Sequence, residues 1–355
     1  MAARGGRMPV IRPGRDGDAE GFIALIGAAW AEYPGCVLDV DGELPELRAL
    51  ATHFAAAGGA LWAAERGDGR VVGMVGARPL REDDAFEICR MYVAAGERGS
   101  GLAHRLLEKA EAHARAAGAR RLVLWTDTRF DRAHRFYERR GYVRQGAIRI
   151  LDDLSRSLEF RYAKPAAGLV VEALDAAAAA SAERRLAEIL VACVGAGGAV
   201  SFLAPLAPEA ARAAWRKVAA EVAAGNRLLL AAWLDGALVG TVQLGLGTPP
   251  NQPHRADVAK LLVDPAARRR GVGRVLMERA EQAAQRVGRG LLVLDTRAGE
   301  PAETLYRSLG WREAGRIPDY ALDPDGRAFH DTVVFWKRVG PLTPPPRPPS
   351  PPPAA

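Results

Sequence analysis

Apolar and polar positions along this chain change period in a fixed order, and the order occurs twice. Residues Ala19 to Ala31 carry apolar positions at helical spacing. Two apolar runs follow, GALWAAE and VVGMVGARP, joined by the short polar stretch RGDGR, which is the pattern of a hairpin. A third strand-like run, FEICRMYV, leads into a glycine turn. Beyond it the period returns to that of a helix, with Leu106, Ala110, Ala114 and Ala117 on one face. An apolar strand (RLVLWT), a short helix carrying Tyr137 and a last strand (RSLEFRYAK) complete the series. From Ala178 to Val194 a helical segment opens the second series. It continues with the hairpin RLLLAAWLDGALVGTVQLGLG, a strand, a glycine turn and a helix whose inward face is Leu276, Ala280, Ala283 and Val287. The strand GLLVLD, a short helix with Tyr306 and the strand TVVFWKRV close it.

The two series agree residue by residue at their punctuation. Arg98 corresponds to Arg268, Gly101 to Gly271 and Gly118 to Gly288; after one deleted residue, Tyr137 corresponds to Tyr306 and Gly141 to Gly310. A repeat of this length exceeds a solenoid unit and marks duplicated domains. The expected organisation is a flexible N-terminus (1–8), a first domain at 9–165, a second at 168–339 and a disordered proline-rich tail at 340–355. The expected class is α/β (α+β): two tandem domains, each a mixed, mostly antiparallel sheet flanked by helices.

Composition narrows the function without deciding it. The 355 residues, 49% of them apolar, suffice for two cores, and a net charge of +7 with a pI near 9.6 raises nucleic acid as a partner. The arginines, however, are dispersed, and no basic block is interleaved with aromatics, so no nucleic-acid partner is expected. Cys36, Cys89 and Cys193 form no CxxC pair and six histidines show no ligand spacing, so neither a disulfide framework nor a metal is expected. No apolar run is long enough to span a bilayer and the opening MAARGGRMPV has no signal-peptide core, so the expected location is cytoplasmic, away from membranes.

The chemistry concentrates at the glycine turns. RRRGVG places three arginines and two glycines where a strand passes into a helix. There, unpaired N–H groups and the positive end of the helix dipole favour an anion. The two turns, Arg98-x-x-Gly101-x-Ala103 and Arg268-x-x-Gly271-x-Gly273, are each followed by Ala-x-x-x-Tyr or Ala-x-x-Leu-Tyr and then by Gly141-Tyr142 or Gly310-Trp311. On these residues both domains resemble the GNAT superfamily of acyl-CoA-dependent N-acetyltransferases. A dinucleotide-binding GxGxxG reading lacks its βαβ setting.

The resemblance implies acetyl-CoA as co-substrate, its pyrophosphate held on the backbone of the glycine turn. The implied cofactor residues are Leu262, Val263, Arg268, Arg269, Arg270, Gly271, Val272, Gly273 and Arg274 in the second domain. In the first they are Tyr92, Val93, Arg98, Gly99, Ser100, Gly101, Leu102 and Ala103. It also implies a carboxylate base on the strand before the turn. Glu87 and Asp257, each eleven residues before its motif arginine, hold that place, and strand alternation puts Asp257, Ala259 and Leu261 on one face. Tyr137 and Tyr306 match the family tyrosine that returns a proton to the departing thiolate.

The second domain further resembles the tabtoxin-resistance acetyltransferase group, carried by HRADVAKLLVDPAARRRGVGRVLM, GLLVLDT and GRIPDYALDPDGRAFHDTVVFWK. This implies a small-molecule amine, amino acid-like or β-lactam-type, beside Asp257, Asp295 and Tyr306. Aspartate at 257 replaces the group's usual glutamate, Gly299 stands where an asparagine is common, and the first domain has Trp125 where the second has Asp295. The expectation is direct transfer in a ternary complex, with the second domain doing most of the turnover. Cys89, two residues from Glu87, is the one thiol placed to line a cleft. The alternatives are one catalytic and one non-catalytic acyl-CoA-binding, sensor or structural domain, a mycothiol-synthase-like arrangement, or protein acetylation. The assembly considered is a homodimer.

Overall fold

The computed structural model describes residues 8–80 and 84–342. Residues 1–7 of the expected flexible start and the tail beyond 342 lie outside the described residues. The tail's first residues do pack: a Cβ on Gly290 would meet the Pro341 carbonyl at 2.6 Å and the Gly340 carbonyl at 3.0 Å. The tail expected to be disordered from 340 therefore begins against the second domain.

The chain divides into two compact units at Gly168/Leu169. Unit 1 runs β1 (Val10–Pro13), α1 (Ala19–Trp30), α2 (Leu50–Ala56), β2 (Ala60–Glu65), β3 (Val71–Leu80), β4 (Ala85–Val93), α3 (Leu102–Ala116), β5 (Arg121–Asp127), α4 (Asp131–Glu138), β6 (Val143–Arg144), β7 (Arg149–Ile150) and β8 (Leu158–Pro165). Unit 2 runs β9 (Leu169–Leu174), α5 (Ala176–Gly195), α6 (Pro208–Ala223), β10 (Arg227–Leu234), β11 (Ala237–Gly245), β12 (Arg255–Val263), α7 (Val272–Arg286), β13 (Leu291–Arg297), α8 (Pro301–Ser308), β14 (Arg312–Leu322) and β15 (Phe329–Arg338). The strand order is β1-β2-β3-β4-β5-β8-β6 in one sheet, with β7 on β8, and β14-β15-β13-β12-β11-β10-β9 in the other. The expected mixed, mostly antiparallel sheets flanked by helices are therefore present. Among the described residues no helix is long and apolar enough to cross a membrane.

Each sheet has one parallel pair, β4 with β5 and β12 with β13. Parallel neighbours need a crossover, and α3 and α7 supply it. In unit 1, α3 covers one face: a Cβ on Gly73 would meet Leu106 at 2.8 Å, so glycine lets the helix approach. On the other face Phe22, Leu25, Leu50 and Phe54 of α1 and α2 pack with Met74, and a Cβ on Gly76 would strike the Phe54 ring. In unit 2, Gly240 meets Leu276 and Val272 of α7 in the same way. Two residues of the anticipated helical faces are turned out. Ala117 and Val287 lie one residue past the ends of their helices, in the cap, and Val287 is 43% exposed; in α7 the stripe shifts to Met277 and Ala284.

One polar device is built twice. Lys164 on β8 lies 2.8 Å from Glu111 of α3 and donates to the Arg140 carbonyl at 2.8 Å, while the Tyr142 hydroxyl donates to Glu111. Lys337 on β15 lies 2.7 Å from Glu281 of α7 and donates to the Leu309 carbonyl, and Trp311 Nε1 donates to Glu281. Each triad fastens the crossover helix to the last strand. The lysine and glutamate side chains are 4% and 7% exposed in unit 1 but 22% and 16% in unit 2. Removing one partner of a buried pair strands the other charge, at about 3–5 kcal/mol. Lys164→Met is therefore expected to destabilise unit 1 by about that amount and Lys337→Met to cost unit 2 less. Denaturant unfolding followed by probes in each unit checks the order, and equal losses would refute it.

Candidate active site

The parallel ladders are short. β4 and β5 pair only at Ala85↔Arg121, Phe86↔Leu122 and Glu87↔Val123, although β4 runs on to Val93 and β5 to Asp127. β12 and β13 pair only at Arg255↔Leu291, Ala256↔Leu292 and Asp257↔Val293. In each unit the candidate acid is thus the last paired residue before the two strands part. Trp125 and Asp295, two residues further along the other arm, share its face.

A β-bulge follows each fork. Arg90 and Lys260 have φ of +51° and +52°, and the register of β3 on β4 and of β11 on β12 slips beside them. An extra residue switches the face that later side chains take. The alternation expected for β12 therefore fails beyond Ala259. Val258 pairs Leu244 and Val263 pairs Gly240, so Leu261 turns to the α7 face, away from Asp257. The bulge residues are tethered: Arg90 donates to Glu46 at 2.7 Å, and Lys260 donates to the Val200 carbonyl at 2.5 Å and to Ser201.

The glycine turns take the conformation an anion site needs. Gly99 and Gly101 have φ of +77° and +87°, and Arg269 and Gly271 have +64° and +80°. Left-handed residues alternating with others turn successive N–H groups inward, just before α3 and α7 begin. Arg269 holds a conformation that costs a non-glycine residue about 1–2 kcal/mol. A Cβ at Gly101 or Gly271 would stand in open space.

In unit 1 the implied cofactor residues converge. Tyr92, Val93, Arg98, Gly99, Gly101 and Ala103 line a cavity of about 390 Å³ together with Tyr137. Ser100 and Leu102 do not line it: Ser100 Oγ donates to the Glu97 carbonyl, and Leu102 is fully buried in the α3 core. Arg98 is held by Glu32 through two hydrogen bonds of 2.8 and 2.5 Å, with Arg132 3.1 Å from the same carboxylate. In unit 2, Arg268, Arg269, Arg270, Gly271 and Arg274 are exposed, Val263 and Gly273 are half-buried, and Leu262 and Val272 are core residues. Leu262 and Val272 leave only their backbone to a ligand.

A second cavity of unit 1, about 590 Å³, holds Glu87, Cys89 and Trp125, and Tyr137 lines this one too. Glu87 is 5% exposed, and its carboxylate accepts from Arg78 Nε at 2.6 Å. Arg149 stacks 4.2 Å above Trp125. The sequence reading missed Arg78, although it lies directly across the hairpin from Glu87. Burial pushes the Tyr137 phenol well above its ordinary range, with Tyr92 and Cys89 adding to it. Tyr306 is 6% exposed and shifts the same way, by burial and then by the charge of Asp295. The acids of unit 2 are more open. Asp295 is exposed, and the half-exposed Asp257 pairs with Arg255 at 3.0 Å.

Comparison with known proteins identifies the family. The model of the acetyltransferase (GNAT) family matches residues 23–142 and 200–311. The chain belongs to the acetyltransferase (GNAT) family. Both matched stretches contain a glycine turn and a tyrosine helix, so the GNAT fold is present in tandem. N-acetyltransferase 8F1 of Rattus norvegicus is 29% identical over 126 residues, covering 34% of this chain and 54% of that protein. N-acetylaspartate synthetase of Rattus norvegicus is 40% identical over 84 residues, 22% of this chain and 27% of the relative. The chain thus spans about half or less of the curated relatives it matches. A putative acetyltransferase of Salmonella typhimurium, solved with its cofactor acetyl-CoA, is 19% identical, covers 50% of this chain and 98% of its own, and has a TM-score of 0.42.

Cys89 is a poor nucleophile in this setting. Burial, then the charge of Glu87, pushes its thiol up to about 12, so it stays protonated at neutral pH. Native protein exposed to iodoacetamide at pH 8 is expected to leave Cys89 unmodified by peptide mass spectrometry while denatured protein is alkylated. Rapid native alkylation at this residue would reopen a covalent route.

Proposed function

We propose that the chain transfers an acetyl group from acetyl-CoA to the primary amine of a small molecule, directly within a ternary complex, and that unit 1 carries most of the turnover. The supporting observation is Tyr137. It lines both the cavity built around the glycine turn and the cavity that holds Glu87, so a thioester entering by one and an amine entering by the other meet beside it. This reverses the weighting expected from sequence, which favoured the two aspartates of unit 2. Glu87 is enclosed and fixed by Arg78, whereas Asp257 is half-exposed and turned to its own strand neighbour Arg255.

In this reading the acetyl-CoA pyrophosphate rests on the amides of the turn at Gly99 to Ala103. Arg98 leaves Glu32 to contact it. Acetyl-CoA supplies the thioester. The amine, an ammonium near pKa ~10 in water, gives up its proton toward Glu87, directly or through water, as nitrogen meets the carbonyl. The phenol of Tyr137 donates its proton to the leaving thiolate. Burial keeps this phenol protonated throughout the working range, so the proton is in place, while the same shift makes it a weaker donor that gives the proton up only to sulfur already carrying negative charge. Unit 2 keeps the turn at Arg268 to Gly273 and the buried Tyr306, which supports acyl-CoA binding there, with Asp257 and Asp295 as a weaker catalytic pair. The narrower tabtoxin-resistance likeness, the reduced cytoplasmic setting and a homodimer remain parts of this proposal.

Tyr137→Phe is expected to lower kcat about 10²- to 10⁴-fold with little change in acetyl-CoA affinity, and Tyr306→Phe far less. Free-CoA release against a panel of small amines, with calorimetry for the cofactor, measures both. A larger loss from the unit 2 variant would return the main site to Asp257 and Tyr306. Initial-rate lines should intersect; parallel lines would exclude the ternary complex.

Because the phenol is raised, its deprotonation sets no descending limb below its ordinary pKa. The acid form is lost only as pH rises through the folded value, so kcat should stay level from about pH 8 to about pH 10. Gly101→Asp should weaken acetyl-CoA binding strongly, through left-handed strain and like charge beside pyrophosphate. Gly271→Asp tests unit 2 in the same way, and unchanged affinity in both would misplace the phosphate site.

A further inference from the structure

The Glu87 cavity carries a charge opposite to that of the chain around it. Seven carboxylates and three guanidinium groups line it, in a protein of net charge +7. Each lining guanidinium is already matched: Arg78 with Glu87 at 2.6 Å, Arg90 with Glu46 at 2.7 Å and Arg149 with Glu159 at 2.8 Å. Asp127 is held by Arg129 at 2.6 Å.

Glu43 and Asp152 are left without a cation among the described residues, and Asp153 has only the charge of Arg129, which it shares with Asp127. Glu43 accepts the Leu154 amide at 2.6 Å, Asp153 accepts the Ser157 amide at 2.7 Å, and Asp152 is exposed with no hydrogen bond among the described residues. Uncompensated charge on the wall of a cleft attracts its opposite, because the low-dielectric walls focus the field. A separate feature marks the cavity as a ligand site. Tyr137, 7% exposed, lines it with a phenol that has no hydrogen-bond partner among the described residues. The volume, about 590 Å³, falls within the usual range for small-molecule sites.

On the reading that unit 1 is the transferase site, we propose that its acceptor is a small amine bearing at least two positive charges. One amine reacts at Glu87 and Tyr137, and a second, unreacted ammonium is held by Glu43, Asp152 and Asp153. The reacting nitrogen must shed its ammonium proton before it attacks, so attraction of that ammonium to these acids would hold it in its unreactive form. The second ammonium keeps its charge throughout and can be held by them. A zwitterionic acceptor would set its carboxylate against the same acids, so the amino acid-like compound suggested for the second domain is disfavoured in unit 1.

The test uses three probes of one chain length, 1,5-diaminopentane, pentylamine and 5-aminopentanoate, with the full-length protein and the Asp152→Lys variant. Asp152 makes no contact that folding depends on, so the variant should fold. Calorimetry is expected to rank the diamine first and the amino acid last. Asp152→Lys should narrow the diamine-to-monoamine affinity ratio about five- to tenfold, and added salt should narrow it too. A wild-type diamine that binds no better than pentylamine, or a ratio unmoved by the variant, would overturn the inference. Free-CoA release with acetyl-CoA is measured in parallel. Discriminating binding without any release would overturn the transferase reading of unit 1, leaving the charge preference of the cavity standing.

Discussion

Everything else in these two units follows from a pair of parallel strands that begins to zip and then stops. Three residue pairs join β4 to β5, and three join β12 to β13. The bulge at Arg90 or Lys260 then bends the first strand away. Beyond the fork, the side of β4 that faced β5 is left without a strand partner, an inner edge that an extended ligand can meet. Because the crossover helix must start where the bulged strand ends, the acid at the fork, the bulge and the glycine turn are fixed in series. The equal spacing of Glu87 from Arg98 and of Asp257 from Arg268 is the sequence record of that geometry.

The duplication kept what holds the fork and changed what lines it. The Glu111, Lys164 and Tyr142 cluster recurs as Glu281, Lys337 and Trp311, fixing α3 and α7 at the same height on their sheets. Both bulge residues are basic and both reach the segment linking the two N-terminal helices of their unit, but by different chemistry. Arg90 uses the carboxylate of Glu46, and Lys260 uses the carbonyl of Val200. A strained left-handed residue is thereby tied to a covering segment in each case, so that strain and cover are coupled.

Much of this was legible because its signals are local. Glycines at positive φ, hairpin turns and the helical stripe of Leu106, Ala110 and Ala114 write themselves into spacing, and repetition doubled each signal. What was lost lacked such a signature. α2 is seven residues long, and α6 buries only Ala211 and Trp215. β14 is exposed at ten of its eleven positions, so it shows no alternation. The bulge defeated the period-two rule for Leu261 because one inserted residue reverses every side chain after it. The partnership of Glu87 with Arg78 needed the hairpin register, which sequence spacing alone does not give.

The exchange of Trp125 for Asp295 shows how one scaffold gives two forks of different character. An indole on the second arm excludes water and gives Arg149 a face to stack on. With the fork so covered, the carboxylate of Glu87 is enclosed, and an enclosed charge requires the compensation that Arg78 provides. An aspartate on that arm brings solvent and a second negative charge. Asp257, one methylene shorter than Glu87, then lies half-open and leans on Arg255. The enclosure of the acid in unit 1 and its exposure in unit 2 therefore follow from the residue on the opposite arm as much as from the acid itself.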